Sequence, residues 1–186
     1  MEITKYHDKW IGAAVYRSPM KNLLRDPARL VSELSSDQVL VNIFKANSIV
    51  SLKQIHIAAI SALAAFKSKS NIARNLNIEI LLRISSETQI DKALKKIGVD
   101  EETDEVGVCI IAGDKVEIDK VGRILSSRIG GIELSGEDLY EHERITRALE
   151  FYNIDREELQ LIQAKDLYEA ALLLIIEKIA TLDVER

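Results

Sequence analysis

Acid-base or nucleophilic catalysis needs a titratable side chain with a positioned partner, and this 186-residue chain has few candidates. His7 lies in a polar N-terminal stretch, His56 stands among Ile55, Ile57 and Ala58, and His142 is flanked by Glu141 and Glu143. No two of them share the i, i+4 spacing of a zinc-binding helix. Cys109 is the one cysteine, which excludes an intrachain disulfide and a thiolate metal cage. It sits in the apolar run VGVCIIA, where burial keeps a thiol protonated and unreactive. The eight glycines form neither Gly-x-Gly-x-x-Gly nor a Walker loop, and no Gly-x-Ser-x-Gly elbow occurs. The acidic loop from Asp100 to Glu105 has oxygen ligands but lacks the central glycine and the spacing of a calcium site. These residue types point to a binding protein that is not an enzyme, with no cofactor and no metal.

Positive charge is the chemistry that remains. Lys67, Lys69, Arg74 and Arg83 fall within a 17-residue span interrupted by one acid, Glu79. Such a span can contact phosphates, and Asn71 and Asn75 can add hydrogen bonds to sugars or base edges, as readers of single-stranded RNA require. The competing reading is plain helix chemistry, because lysines at a helix C-terminus favour the macrodipole and need no ligand. A salt bridge to Glu79 is the corresponding alternative for Arg74.

The charge of the whole chain supports two kinds of surface. Residues 1–86 carry 12 Lys and Arg against 6 Asp and Glu, a balance of +6, whereas residues 87–186 carry 13 against 24, a balance of −11. Together these return the net −5. An asymmetry of this size fits two faces with different partners, or a surface on which charge simply alternates. The 47% apolar and 30% charged content is that of a globular protein, and the length predicts one domain over 1–186. The longest uncharged apolar runs are too short to span a bilayer, and the start lacks the basic and apolar regions of a signal peptide. A cytoplasmic protein without a membrane partner is expected.

The elements that must position the basic span read as strands interleaved with helices. Trp10 to Tyr16 predicts a strand, and Leu24, Leu30, Val31 and Leu34 a helix with Pro27 in its first turn. Val39 to Ala46 is apolar on both faces and predicts an inner strand. Ser51 with Gln54 forms a capping box before the helix face Ile55, Ala59, Ala62, Leu63 and Phe66. Ile78 to Ile84 alternates and predicts a strand; Ser86 with Gln89 then predicts a helix stopped by Gly98. Val106 to Ala112 predicts a central strand, and Val116 to Leu125 fits a helix ended by Gly130-Gly131. Caps at Ser135 and Asp155, with a last segment from near Ala164, make the final third helical. The expected class is α+β: a mixed sheet of about four strands with packed helices and a helical C-terminal portion.

From Ala46 to Val99 a series of pieces carries a family likeness. They are Ala46 with Ile49 and Val50; the alanine-rich helix Ala58, Ala59, Ala62, Ala65, Phe66; Asn71-Ile72-Ala73-Arg74; Glu79-Ile80-Leu81-Leu82; and Gln89-Ile90, Ala93 and Gly98. In order and spacing the series resembles the TPRKB-type subunit of the KEOPS complex, which takes part in threonylcarbamoyladenosine modification of tRNA. Archaeal members of that family often carry His at the position of Gln54, and Gly-Lys or Gly-Arg where this chain has Glu87-Thr88. The second departure removes a basic group.

The resemblance implies a non-catalytic α+β subunit that docks on the small kinase-like ATPase of KEOPS and helps hold tRNA by its 3′ CCA end. It implies RNA contacts from Lys67, Lys69, Asn71 and Arg74, with Lys53 and Arg83 as further candidates. The kinase-docking surface would be helical, either at Gln89, Ile90, Ala93 and Leu94, where the competing reading makes Ile90 and Leu94 part of a buried stripe with Ala93 and Ile97, or on the apolar C-terminal helix. A protein-only module that regulates a kinase without touching RNA is the alternative.

Overall fold

The structure is a computed structural model that describes residues 1–21 and 23–182. Strands β1 (Glu2–Tyr6) and β2 (Lys9–Arg17) form a hairpin around His7 and Asp8, with His7 in the left-handed region at φ 52°. A 3-10 turn (Leu23–Arg25) precedes α1 (Pro27–Leu34), which is capped by Asp26 and places Pro27 in its first turn, where no donor is lost. Strand β3 (Val39–Lys45) leads to three helices in succession: α2 (Leu52–Ser68), α3 (Leu76–Ser85) and α4 (Ile90–Ile97). Strand β4 (Glu105–Ala112), α5 (Lys115–Ile129) and the short β5 (Ile132–Glu133) follow. The chain then continues through α6 (Gly136–Leu139), α7 (His142–Phe151), α8 (Arg156–Leu161) and α9 (Leu167–Ala180).

These elements gather into two compact units. The first comprises Met1–Ala46 and Ile97–Leu134; the second comprises Asn47–Lys96 and the chain from Ser135 onward. The first holds the sheet, in the order β1-β2-β4-β3, with β5 also paired to β2. One edge of the nine-residue β2 is shared: β1 pairs with Lys9 to Ala13, and β5 pairs with Tyr16 and Arg17. Gly131 makes the entry to β5 possible, because its φ of 73° and the Arg17 carbonyl, 2.3 Å from where a Cβ would stand, admit only glycine. Ala14, Tyr16, Val41, Val108 and Ile110 meet Leu30 of α1 and Ile118, Val121, Leu125 and Ile129 of α5 in one core.

The α+β class and a sheet of this size agree with the sequence, and three details do not. The described pairings are all antiparallel rather than mixed. Strand β3 lies at an edge rather than inside, since a strand apolar on both faces needs cover above and below, not a neighbour on each side. Most importantly, Ile78 to Ile84 is not a strand but most of α3, and Ser86 does not open the next helix. It closes α3 instead, in the left-handed conformation at φ 53°. Strand β1 is a further element that periodicity hides, because an edge strand with alternating charges carries little apolar signal.

In the second unit α2 packs on α3 and α9. Helix α3 is buried nearly all round, at Glu79, Ile80, Leu82, Arg83, Ile84 and Ser85. A helix with no wet face loses the 3.6-residue alternation that would reveal it, and its alternate isoleucines then imitate a strand.

Candidate nucleic-acid interface

The basic candidates lie on and around the connection from α2 to α3. Lys67 is in the last turn of α2, Lys69 is its C-cap, and Arg74 immediately precedes Asn75, the N-cap of α3. All three basic side chains are exposed. Lys53 is exposed too, but it stands in the first turn of α2, roughly 20 Å along the axis from Lys67 at 1.5 Å per residue. It belongs to the other end of the helix.

Arg83 must be withdrawn as an RNA contact. Its side chain is 1% exposed and forms an ion pair with Glu79, itself 0% exposed, one helical turn earlier. The guanidinium donates from Nε at 3.2 Å and from a terminal nitrogen at 3.1 Å to Glu79 Oε1. The salt bridge offered as an alternative for Arg74 therefore exists, but with Arg83, and Arg74 is left facing solvent.

The other oxygen of Glu79 builds the connection. Glu79 Oε2 accepts the backbone N–H groups of Ile72 and Ala73, each at 2.8 Å. Upstream, the Ser70 N–H donates to the Ala65 carbonyl at 2.9 Å and Lys69 holds a left-handed φ of 62°. Glycine is the usual residue at such a helix end, so a lysine there is a local strain that the surrounding bonds must hold. Asn71 donates its side-chain amide to the Ala73 carbonyl at 2.9 Å, which gives it a part in shaping the loop. The Ala73 methyl is buried with Leu82, Ala93 and Leu182.

Ala93 is accordingly a core residue, 1% exposed, and is withdrawn from the docking surface. Its neighbours on α4 behave oppositely: Gln89 is exposed, and Ile90 and Leu94 are each 44% exposed at i, i+4 spacing. On the alternative surface of the last helix, Leu167 and Leu173 are exposed while Leu172 is buried.

Position 54 has a structural task. Gln54 Oε1 accepts from the Val50 and Ser51 N–H groups at 2.6 and 2.9 Å, and Nε2 donates to the Tyr152 hydroxyl at 3.4 Å. Tyr152 in turn donates to the Ile84 carbonyl at 2.7 Å. Burial raises the Tyr152 phenol well above its ordinary pKa, so it stays a donor at any physiological pH.

The three histidines lie on different elements. His7 is a turn residue, His56 is buried in α2 and His142 is exposed at the start of α7. Burial pushes the Cys109 thiol up to about 12. In the acidic loop, Lys45 bonds to Asp100 at 2.6 Å and holds its carboxyl below the ordinary value. Among the described residues, no group of three or more His, Cys, Asp or Glu is placed to hold a metal ion.

The sequence profile of the family described as kinase binding protein CGI-121 matches residues 21–183, which is most of the chain. The chain belongs to the CGI-121 family. Comparison with curated proteins gives no match. The CGI-121 match spans both the α2–α3 connection and α4. Among the described residues of this CGI-121 protein, no helix is long and apolar enough to cross a membrane.

Proposed function

We propose that the chain is a non-catalytic, cytoplasmic KEOPS subunit that binds the kinase-like ATPase subunit and helps recruit tRNA by its 3′ CCA end for threonylcarbamoyladenosine formation. The observation that carries the RNA part is the α2–α3 connection, a bonded loop that leaves Lys67, Lys69 and Arg74 exposed on one short stretch. Kinase binding follows from the family, and a single-stranded RNA end suits cations at the rim of a preformed loop.

Lys67→Glu with Arg74→Glu is expected to weaken tRNA binding about 10- to 100-fold and to flatten the salt dependence of log K by roughly 1 to 1.5, as two lost phosphate contacts require. Filter binding across a salt series measures both. Wild-type protein should lose affinity when the CCA end is removed. Equal binding of tailed and tailless tRNA rejects the end-recognition reading.

For the kinase partner, the exposed pair Ile90 and Leu94 on α4 is the favoured docking surface. Leu94→Asp should leave stability within about 0.5 kcal/mol, because the side chain is half in solvent. It should weaken partner binding about 30-fold or more, the loss typical of an interface hot spot. Calorimetric titration with the kinase-like subunit checks this. If Leu173→Asp has that effect and Leu94→Asp does not, docking belongs to the last helix. The protein-only alternative predicts that these substitutions matter while the charge reversals at Lys67 and Arg74 leave RNA behaviour unchanged.

A further inference from the structure

A loop that binds phosphates gains affinity when its conformation is settled before the ligand arrives, because the ordering entropy is not charged to binding. The connection from Lys69 to Asn75 has such an internal framework, and one side chain completes it. Glu79 projects from the first turn of α3 with both carboxylate oxygens in use: Oε1 on Arg83 and Oε2 on the two consecutive N–H groups of Ile72 and Ala73. Those two amides precede Arg74 directly, and Ala73 is buried in one cluster with Leu82 and Ala93.

We propose that Glu79 is the positioning residue of the RNA-binding loop. Its carboxylate fixes the backbone at Ile72 and Ala73, so that Lys69 and Arg74 stand ready as a phosphate-binding pair, and it touches no RNA itself. The inference rests on the RNA reading of this surface. Arg83 has the complementary part: it neutralises the buried carboxylate and orients it through two hydrogen bonds, leaving Oε2 turned to the loop. The basic residue that looked from the sequence like an RNA contact thus acts one step behind the surface.

The chemistry needs an acceptor at both ends of one side chain. A glutamine at position 79 with Arg83 retained presents an NH2 group either to the guanidinium or to the loop, and one set of donors loses its partner. Changing both residues avoids this. In Glu79→Gln with Arg83→Gln, the side-chain oxygen at position 79 can keep the loop amides while its NH2 group finds the side-chain oxygen at position 83. In Glu79→Met with Arg83→Met, the space stays filled but the loop amides have no acceptor. Each double variant removes one positive and one negative charge, so the long-range field on RNA is the same in both.

The test compares CCA-ended tRNA affinity and amide hydrogen exchange at Ile72 and Ala73 for the wild type and the two double variants, at a temperature where all are folded. The dimethionine variant should bind about tenfold more weakly and exchange faster at both amides, while the diglutamine variant returns toward wild type on both readouts. A purely structural role would lower the melting temperature without moving affinity in the folded protein. Dimethionine affinity within twofold of wild type overturns the proposal, provided Lys67→Glu with Arg74→Glu has lost binding. If the charge reversals also leave binding intact, the RNA reading itself fails and takes this inference with it. Should the dimethionine variant not fold, exchange in the wild type decides. Protection of both amides in the free protein supports preorganisation, and exchange at peptide rates overturns it.

Discussion

Arg83→Met is expected to destabilise the protein by about 3–5 kcal/mol, the cost of leaving a buried charge without its counter-ion. The substitution keeps the volume of the side chain but strands the Glu79 carboxylate, fully enclosed, with the two loop amides still donating to it. With a urea m-value of about 2 kcal/mol/M the midpoint should fall by roughly 1.5–2.5 M. Adding Glu79→Met should recover much of the loss, because an apolar pair of similar size carries no desolvation penalty. Recovery stops about 1–3 kcal/mol short of wild type, since the Ile72 and Ala73 N–H groups have lost their acceptor. Urea titrations of the single and double variants check the order. An Arg83→Met cost below about 1 kcal/mol would contradict the buried pair.

Phe44→Ala carries the second large effect, about 3–5 kcal/mol for an enclosed ring. Phe44 of β3 lies opposite Gly107 of β4 and covers it so closely that a Cβ on residue 107 would come within 2.2 Å of the ring. Gly107→Ala alone should therefore cost about 1–3 kcal/mol by overpacking. The two changes together should cost less than their sum, by on the order of 1–2 kcal/mol, because the alanine methyl enters space the ring has left. A thermodynamic cycle measures this coupling. Strict additivity would mean that ring and glycine do not compete for the same volume.

Strands β2 and β4, the α2 capping box and the helical C-terminal third are legible because each has a local signature. Two-sided apolar runs bounded by glycine or turn residues mark β2 and β4, and Ser51 with Gln54 satisfies orphan amides from within four residues of sequence. Helix α3 is not legible by periodicity, yet two signals are present: Asn75 accepts from the Ile78 N–H, and Glu79 with Arg83 is an i, i+4 pair. The apparent capping box at Ser86 and Gln89 misleads because serine also serves at a left-handed helix end, where only the backbone path distinguishes start from stop.

The opening chemistry of the sequence is a concentration of positive charge, beside histidines, a cysteine and glycines that match none of the catalytic or phosphate-binding motifs named at the outset. Residue types alone determined that much, since thiols, histidines and glycines either fall at reactive spacings or do not. Which cations face solvent was decided by the tertiary structure. Lys67, Lys69 and Arg74 share with Arg83 the charge and the neighbourhood, and only the i, i+4 spacing of Arg83 from Glu79 hints at a difference along the chain. What separates them is that α3 turns one arginine inward onto a carboxylate, while the last turn of α2 and the connection after it carry the others outward. The same holds for α4, where Ile90 and Leu94 stay exposed and Ala93 is buried, because burial depends on the neighbours a fold supplies and not on the apolarity of a residue.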